Sequence, residues 1–398
     1  MITVEDALQI ISSTVRDYGI EQVALIDAAG RILREPLIAD RPMPPYDRIT
    51  MDGIAIAFDT FERGQRTFPI AGIAAAGSTR QKLNDPEACL EAMTGGILPE
   101  GTDTVIRYED LHIENLSAKV LIDDVMRGQN IHRCGIDRQA GELVARAGTR
   151  VSAAEIGLGA TLGCSVVKVS RLPKTIIIST GDELVDIHEQ PLPHQIRRSN
   201  VYRLQATLAG LGIKARTSHL RDNPDEIRSE LARILASEEV IILSGGVSKG
   251  KFDFLPVILE ELGVKKHFHR ISQRPGKPFW FGESREGALV FALPGNPVSS
   301  FLCTHRYFIP WLHQSMGLPP GPHPVGVLAH DFTFRPDLTY FLQVRVSYTP
   351  DGHIMAHPIE GNGSGDLANL VDADAFLQLP RGKDTFKAGE AFPLFFYR

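Results

Sequence analysis

The clearest structural signal in the chain is the segment TIIISTGDEL, residues 175–184, in which an apolar run leads into a loop of small and acidic residues. Two further segments have the same form: EVIILSGGVS at 239–248 and ALVFALPGNP at 288–297. Runs that are apolar throughout are typical of strands buried on both faces of a parallel sheet. Helical patterns separate these runs, with predicted helices at 199–212, 223–237, 252–263 and 298–313. Together they predict βαβ units that form an αβα domain over 171–315.

The loops after the three runs predict a ligand site. The carboxyl ends of parallel strands meet at one edge of a sheet, and ligands bind at that edge. Glycines let a ligand approach the backbone closely, and free N–H groups at the starts of helices suit an anion. Short connections without any function have the same composition, but three such loops at one edge favour a site. The loop residues that we expect to contact the ligand are Gly181, Asp182, Ser244, Gly245, Gly246, Pro294, Asn296 and Pro297.

Neither common nucleotide motif is complete. The segment GGVSKGKF, residues 245–252, is close to a Walker A loop, but Phe252 stands where Ser or Thr would bind Mg²⁺. No GxGxxG follows a strand. A phosphate-rich ligand therefore remains plausible without a standard nucleotide fold.

Charged residues gather around the same loops. The carboxylates are Asp182, Glu183, Asp222 and Asp253, and the cations are Lys249, Lys251, Arg274 and Lys277. Carboxylates beside an anion site are costly unless a divalent cation bridges them, and Mg²⁺ binds a few carboxylates together with phosphate oxygens. The alternative is structural, because Asp222 can cap a helix and Asp253 suits a helix N-terminus.

Composition excludes several classes of protein. The 398 residues are 43% hydrophobic and 23% charged, so the chain is neither disordered nor fibrous. Its formal net charge is −6, so it has no bulk attraction for nucleic acid or an anionic membrane. Its four cysteines form no CxxC pair, which argues against a zinc ribbon and predicts buried thiols in a reducing compartment. Glu5 and Asp6 do not fit a signal peptide. We therefore expect a cytoplasmic protein.

The remainder of the chain is predicted from local patterns. Thr3 is expected to cap a helix that ends near Gly19, and Ser152 with Glu155 forms a second capping box. Residues 54–133 consist of short apolar runs broken by Gly and Pro, which indicates a β-rich region. Strand-like runs also follow residue 316, with Asp351-Gly352 as a hairpin turn. His267 and His269 share one face of a strand but have no third ligand at metal spacing, so we expect them to be structural.

Seven motifs in the expected order resemble the MoeA family of molybdopterin molybdenumtransferases, which includes the E domain of gephyrin. They are YDRITMDG (46–53), MTGGILPEGTD (93–103), GQNIHRCGID (128–137), STGDEL (179–184), SGGVSKGKFDF (244–254), RPGKP (274–278) and LPGNPVS (293–299). The resemblance implies a multidomain α/β plus β fold. Its expected parts are a split N-terminal domain (1–45 and 136–170), an inserted β-rich domain (46–135), a MogA-like αβα domain (171–315) and a C-terminal β-barrel (316–398).

The resemblance also implies a reaction and a site. Members of the family are homodimers that use Mg²⁺ to cleave adenylylated molybdopterin, insert molybdate and release AMP and molybdenum cofactor. The implied functional positions are Asp52, Thr94, Asp137, Glu183, Asp222, Asp253, Lys277, Pro294 and Pro297, with Asp52 and Thr94 contributed by the partner subunit. We expect Asp182, Glu183 and Asp253 to hold the metal, and Ser248, Lys251, Arg274, Lys277 and Ser299 to hold the molybdate oxyanion.

Two other functions remain open from the sequence. The αβα domain is similar to those of MogA and CinA relatives, and the near-Walker loop would suit a molybdopterin adenylyltransferase. Gephyrin's E domain also clusters receptors, which makes a peptide-binding scaffold the third reading. A separate adenylyltransferase is a possible partner of the protein.

Overall fold

The structure is a computed structural model that describes residues 1–247, 254–361 and 363–398. The chain divides into two compact units. The larger unit consists of Met1–Val23, Asp27–Arg34 and Lys168–Arg398, and the smaller unit of Ala24–Ile26 and Glu35–Val167. The finer division into four domains stays a prediction.

A six-stranded sheet forms the centre of the larger unit. Its parallel strands are, in spatial order, Arg216–Leu220, Thr175–Thr180, Val240–Ser244 and Leu289–Leu293, and the antiparallel strands Trp280–Glu283 and Lys265–His269 complete the sheet. Ser179 lies opposite Ser244, which in turn lies opposite Leu293, so three strands end level with one another. The loops that follow them therefore start at the same edge, as predicted.

Helices cover both faces of this sheet. Alternate residues of its buried strands point to opposite sides, so each strand contributes apolar side chains to both faces. Ile177, Ile242 and Phe291 pack on one face with the helices Val4–Ser12, Ser199–Ala209, Pro297–Cys303 and Ile309–Ser315. Ile178, Leu243 and Ala292 pack on the other face with Pro224–Leu235 and Leu255–Glu261. This arrangement confirms the αβα prediction. The predicted 298–313 helix is divided in its middle, because a π-helical segment, Thr304–Phe308, joins the helices Pro297–Cys303 and Ile309–Ser315.

The N-terminal helix is shorter than predicted. Thr3 caps it as expected, through reciprocal hydrogen bonds with Asp6, but it ends at Ser12 rather than near Gly19. The hydroxyls of Ser13 and Thr14 donate to the carbonyls of Ile10 and Ile11, each at 2.7 Å. These side chains satisfy the last turn and offer the backbone an alternative to further helix.

The C-terminal region is a closed five-stranded barrel. Its strands are, in order around the barrel, Thr339–Tyr348, Ile354–Pro358, Val325–Leu328, Ala391–Phe396 and Ala375–Leu379, and the last pairs with the first. Gly352 has φ +88° in the predicted hairpin turn. The strand Gln273–Arg274 pairs in parallel with the start of Thr339–Tyr348, so the RPGKP loop begins at the barrel edge. The pair Phe332–Thr333 and Thr385–Phe386 and the helix Asn369–Asp372 complete the region.

The smaller unit is β-rich, as predicted. Its six-stranded sheet has the order Thr104–Arg107, Gly53–Ile56, Cys89–Ala92, Thr67–Ala74, Ser117–Val120 and Leu111–Glu114. Two short pairs join Arg48–Ile49 to Ile131–His132 and Leu37–Ile38 to Leu143–Ala145. The helices are Phe58–Glu62 and Ala153–Thr161, and the second has the predicted capping box of Ser152 and Glu155. Short 3₁₀ segments cover Leu25–Ala28 and Tyr108–Asp110, and two strands, Ile20–Ala24 and Val166–Ser170, span the boundaries between the units.

The cysteines follow the prediction only in part. Cys89 and Cys303 are buried, and burial raises the pKa of the Cys89 thiol to about 12. The expectation of a buried thiol is wrong for Cys134, which is exposed because it lies in the polar segment that follows the short strand Ile131–His132. Among the described helices, none is both long and apolar enough to cross a membrane.

Candidate active site

A cleft of about 570 Å³ lies in the larger unit, at the carboxyl edge of the parallel sheet. The loops that follow three of the strands form its walls together with the RPGKP loop. The sequence-predicted residues that line it are Glu183, Ser244, Gly245, Gly246, Arg274, Lys277, Pro294, Asn296, Pro297 and Ser299. Residues from four separate parts of the chain thus meet around one cavity, whose volume lies in the range typical of small-molecule sites.

The glycines of the second loop are required by its conformation. Gly245 and Gly246 have φ values of +104° and +70°, in the left-handed region that favours glycine. A Cβ on Gly246 would lie 2.5 Å from Leu255 Cδ1 and 2.9 Å from Thr180 Oγ1. The two glycines therefore pass close to Thr180, at the end of the strand Thr175–Thr180. Because they have no side chains, their backbone is open to the cleft.

Asn200 joins two of the loops, and sequence reasoning missed it. Its Nδ2 donates to Ser244 Oγ at 3.1 Å and to the Gly295 carbonyl at 2.7 Å. Asn200 lies in the first turn of the helix Ser199–Ala209, a segment for which only a helical pattern was predicted. The sequence signal that could have indicated Asn200 is the polar run Arg197–Asn200, which leads into the start of this helix.

The lining carries more positive than negative charge. Arg197, Arg274 and Lys277 are exposed, and none has an ion-pair partner among the described residues. Arg198 differs, because it pairs with Asp186. A hydrogen bond from the Tyr202 hydroxyl at 2.8 Å and the Arg198 guanidinium together lower the pKa of Asp186 to about 2. The sequence analysis did not identify Arg197 as a site residue. It is one of three cations that, among the described lining residues, remain available to an anionic ligand.

The acidic loop contributes two exposed carboxylates. Glu183 lines the cleft, and Gly181, with φ +130°, leaves the space that the Glu183 carboxylate occupies. Asp182 Oδ1 accepts a hydrogen bond from the Asp222 N–H at 3.2 Å. Asn223, not Asp222, caps the following helix, so the capping explanation for Asp222 is wrong. Gly181, Asp182 and Asp222 lie beside the cleft lining rather than in it.

The described carboxylates include a pair that suits magnesium but no larger metal-binding group. Within residues 1–247, 254–361 and 363–398, no group of three or more His, Cys, Asp or Glu side chains could hold a metal. Mg²⁺ needs only one or two carboxylates when phosphate oxygens complete its shell, and the adjacent Asp182 and Glu183 fit that requirement. The predicted positions Ser248, Lys251 and Asp253 lie outside the described residues.

The two histidines make structural contacts. His267 stacks on Phe281 with ring centroids 5.5 Å apart, and His269 Nε2 lies 3.0 Å from the Val247 carbonyl. A ring stack and a contact with a backbone carbonyl agree with the structural role that the sequence predicted for both histidines.

A second, smaller pocket of about 60 Å³ adjoins the first behind Arg274. Gln343 from the barrel and Ser364 line it. Gln343 is 9% exposed, its Oε1 accepts from Asn369 Nδ2 at 3.1 Å, and its Nε2 has no partner in the described part of the chain. The pocket therefore combines a cation with a buried donor that has no protein acceptor.

The smaller unit holds the other predicted site residues. Asp52 Oδ1 accepts a hydrogen bond from the Thr94 N–H at 2.6 Å, and this bond lowers the pKa of Asp52. Asp137 Oδ1 lies 3.0 Å from His132 Nε2, while Arg48 Nη2 lies 3.1 Å from His132 Nδ1. Because arginine only donates, His132 carries its proton on Nε2 and donates to Asp137. The structure thus brings Asp52 and Thr94 together, as the resemblance implied.

The fold and the cleft define the class: an αβα protein with a cleft, lined by cations and glycine loops, at the carboxyl edge of its parallel sheet. Three family models match the chain: the MoeA N-terminal region (domain I and II) at residues 2–163, the probable molybdopterin binding domain at 176–314 and the MoeA C-terminal region (domain IV) at 325–395. The chain belongs to the MoeA family.

Individual relatives match over the full length. The chain is 38% identical to a molybdopterin molybdenumtransferase of Synechocystis over 99% of this chain and 100% of the relative. It is 31% identical to one of Bacillus subtilis, with 100% and 94% covered. A solved structure of a molybdopterin biosynthesis MoeA protein from Pyrococcus horikoshii is similar with a TM-score of 0.80 and 28% identity, covering 100% of this chain and 99% of the other.

Proposed function

We propose that the protein is a molybdopterin molybdenumtransferase, an enzyme of molybdenum cofactor biosynthesis. Relatives of this name match the whole chain, including the smaller unit and the barrel. An adenylyltransferase or a peptide-binding scaffold is not favoured, since the full-length relatives carry the transferase name.

The substrates that we propose are adenylylated molybdopterin and molybdate, with AMP and molybdenum cofactor as products. The observation that carries this proposal is the cleft of about 570 Å³, around which the described residues place glycine loops and three cations that have no ion-pair partner within the described part of the chain. Exposed backbone and fixed cations recognise phosphate oxygens. Arg197 and Lys277 would neutralise the phosphates of the ligand, and Ser244, Asn200 and Asn296 supply neutral polar groups around it.

Magnesium is part of the proposal, and Asp182 and Glu183 would hold it with Asp253. When bound, Mg²⁺ withdraws charge from the phosphate that leaves with AMP. The protein's own part is to keep two carboxylates adjacent. The contact of Asp182 with the Asp222 backbone positions the first of them.

Molybdate is expected at the RPGKP and PGNP loops. Arg274, Lys277 and Ser299 line the cleft there. The proposal also includes Ser248 and Lys251, which lie outside the described residues. The small pocket behind Arg274 supports this placement, because its volume suits a small oxyanion and the Nε2 of its Gln343 has no acceptor among the residues that the structure describes.

We further propose a cytoplasmic homodimer whose active site combines the cleft of one subunit with Asp52, Thr94 and Asp137 of the other. The pairing of Asp52 with Thr94 on one exposed surface of the smaller unit supports a shared role for these residues. A separate molybdopterin adenylyltransferase, which would supply the adenylylated substrate, is the proposed partner.

Incubation with adenylylated molybdopterin, Mg²⁺ and molybdate tests the proposal. We expect AMP release that requires all three and that yields cofactor able to activate a molybdenum-free apoenzyme. Consumption of ATP with free molybdopterin, without such release, would contradict the proposed function and support the adenylyltransferase.

A further inference from the structure

Gln273 lies directly behind the RPGKP loop and is completely buried. Its Nε2 donates to the carbonyl of Pro275 at 3.0 Å and to that of Gly276 at 3.4 Å. Its Oε1 accepts a hydrogen bond from the hydroxyl of Tyr307, which is also buried. Because two carbonyls can only accept and a hydroxyl donates from the opposite side, the orientation of this amide is fixed.

The loop is closely fitted to this amide. Gly276 has φ +87°, and a Cβ there would lie 2.7 Å from both Gln273 Nε2 and Cys303 Sγ. Pro275 and Pro278 have no N–H with which to anchor the loop. The Lys277 carbonyl accepts from Ile271 and Phe279, each at 3.0 Å, but the Pro275 and Gly276 carbonyls face Gln273.

The two cations of the loop project from this backbone. Arg274 and Lys277 flank the Pro275–Gly276 segment and are exposed at the cleft, whereas Gln273 itself is shielded from solvent. A side chain that fixes the two intervening carbonyls therefore fixes the separation and direction of both cations.

We infer that Gln273 is a positioning residue, which holds the RPGKP backbone so that Arg274 and Lys277 together bind the oxyanion substrate. This inference rests on the proposed function and adds to it a residue that is completely buried beneath the loop. Gln273 acts on affinity for the oxyanion rather than on the chemistry that follows.

Gln273→Met is the first test, because methionine has a similar length and cannot donate to the carbonyls. We expect the KM for molybdate to rise about tenfold, because the loop carbonyls lose their hydrogen-bond donor and the two cations are no longer held in place. The kcat at saturating molybdate should be nearly unchanged. Lys277→Ala should raise the same KM. Thr175→Val is the matched control: its hydroxyl is buried, donates to the Pro173 carbonyl at 3.0 Å and lies at the amino end of the sheet. That variant should keep the wild-type KM.

Gln273→Glu gives a readout that a general loss of stability would not produce. The neutral carboxyl can still donate to a loop carbonyl, whereas the ionised form would face two carbonyl oxygens. Burial and these acceptors raise the pKa of the introduced carboxyl, so the neutral form persists at low pH. The KM for molybdate, relative to wild type at each pH, should be near normal at low pH and rise as the pH increases.

Backbone hydrogen exchange separates this inference from the proposed function. Gln273→Met should speed exchange at Gly276, Lys277 and Phe279, and Thr175→Val should not. If the wild-type protein releases no AMP, the proposed function fails, and exchange alone then decides whether Gln273 holds the loop. Wild-type exchange in Gln273→Met, or faster exchange without any change in the KM of an active enzyme, would overturn the inference. A Gln273→Glu protein whose relative KM does not depend on pH would also overturn it.

Discussion

At the residue scale, the cleft distinguishes two neighbouring arginines. Arg198 is paired with Asp186, whereas Arg197 is exposed in the lining and has no ion-pair partner among the described residues. A cation that is already neutralised by a carboxylate contributes little to anion binding, since the ligand must compete with that carboxylate. Among the described residues, the positive charge that the cleft offers to a ligand therefore comes from Arg197, Arg274 and Lys277.

Glu183 provides the first prediction at this scale. Its carboxylate is exposed and lines the cleft, so its expected role is to hold Mg²⁺ and ligand phosphates rather than to stabilise the fold. Glu183→Gln should lower turnover by about two orders of magnitude or more, the typical effect of removing positioned charge from an active site, while the melting temperature stays the same. Glu286→Gln removes an exposed carboxylate in the turn before the strand Leu289–Leu293, away from the carboxyl edge, and should leave both quantities unchanged. A Glu183→Gln enzyme with normal turnover would remove Glu183 from the site.

At the element scale, the acidic loop is tied to the arginines by a short parallel pair of strands, Leu184–Val185 and Ile196–Arg197. The Ile196 N–H donates to the Glu183 carbonyl at 2.8 Å, and the Arg198 N–H to the Val185 carbonyl at 3.0 Å. Asp186 joins the end of this pair to the helix Ser199–Ala209 through Arg198 and Tyr202. The carboxylate of Asp186 thus links the segment that carries Glu183 and Arg197 to this helix, in addition to the backbone hydrogen bonds.

The lowered pKa of Asp186 makes this dependence measurable. Its folded-state pKa of about 2 lies below its ordinary value, so its contribution to stability is present above the ordinary value and is lost as the pH falls toward about 2. Asp186→Asn should lower the melting temperature at pH 7, and the difference from wild type should shrink as the pH falls from about 4 to about 2. Asp124→Asn, at an exposed carboxylate of the smaller unit, is the control and should show no such trend. A difference between Asp186→Asn and wild type that is constant over this range would refute the role of the charge.

The sequence predicted the elements better than the contacts between them. The strands and their common edge follow from patterns within a few residues, and the structure confirms them. Asn200 bonds to Gly295, and Gln343 reaches a pocket behind Arg274, so both depend on partners that are distant in the chain. Gln273 has local partners but depends on Tyr307 for its orientation. Neither composition nor periodicity contains such pairings.

At the scale of the whole molecule, the predicted site residues are divided between the two units. The cleft residues belong to the larger unit, and Asp52, Thr94 and Asp137 belong to the smaller unit. The motifs could be recognised from the sequence because each is a short continuous segment. A short motif does not indicate whether Asp52 acts in the cleft of its own subunit or in that of the partner. In the proposed homodimer, the cleft of one subunit receives Asp52 of its partner.

Mixed dimers test that choice. Asp52→Ala and Glu183→Gln subunits should each form inactive homodimers. A heterodimer of the two, isolated with two different affinity tags, contains one site with both native residues if the site is shared, and it should regain up to half of wild-type AMP release. If each site is built within one subunit, both sites of the heterodimer lack a required residue and the heterodimer stays inactive. Differently tagged wild-type subunits carried through the same procedure should keep full activity, which establishes that an inactive heterodimer reflects the location of Asp52 rather than damage during exchange.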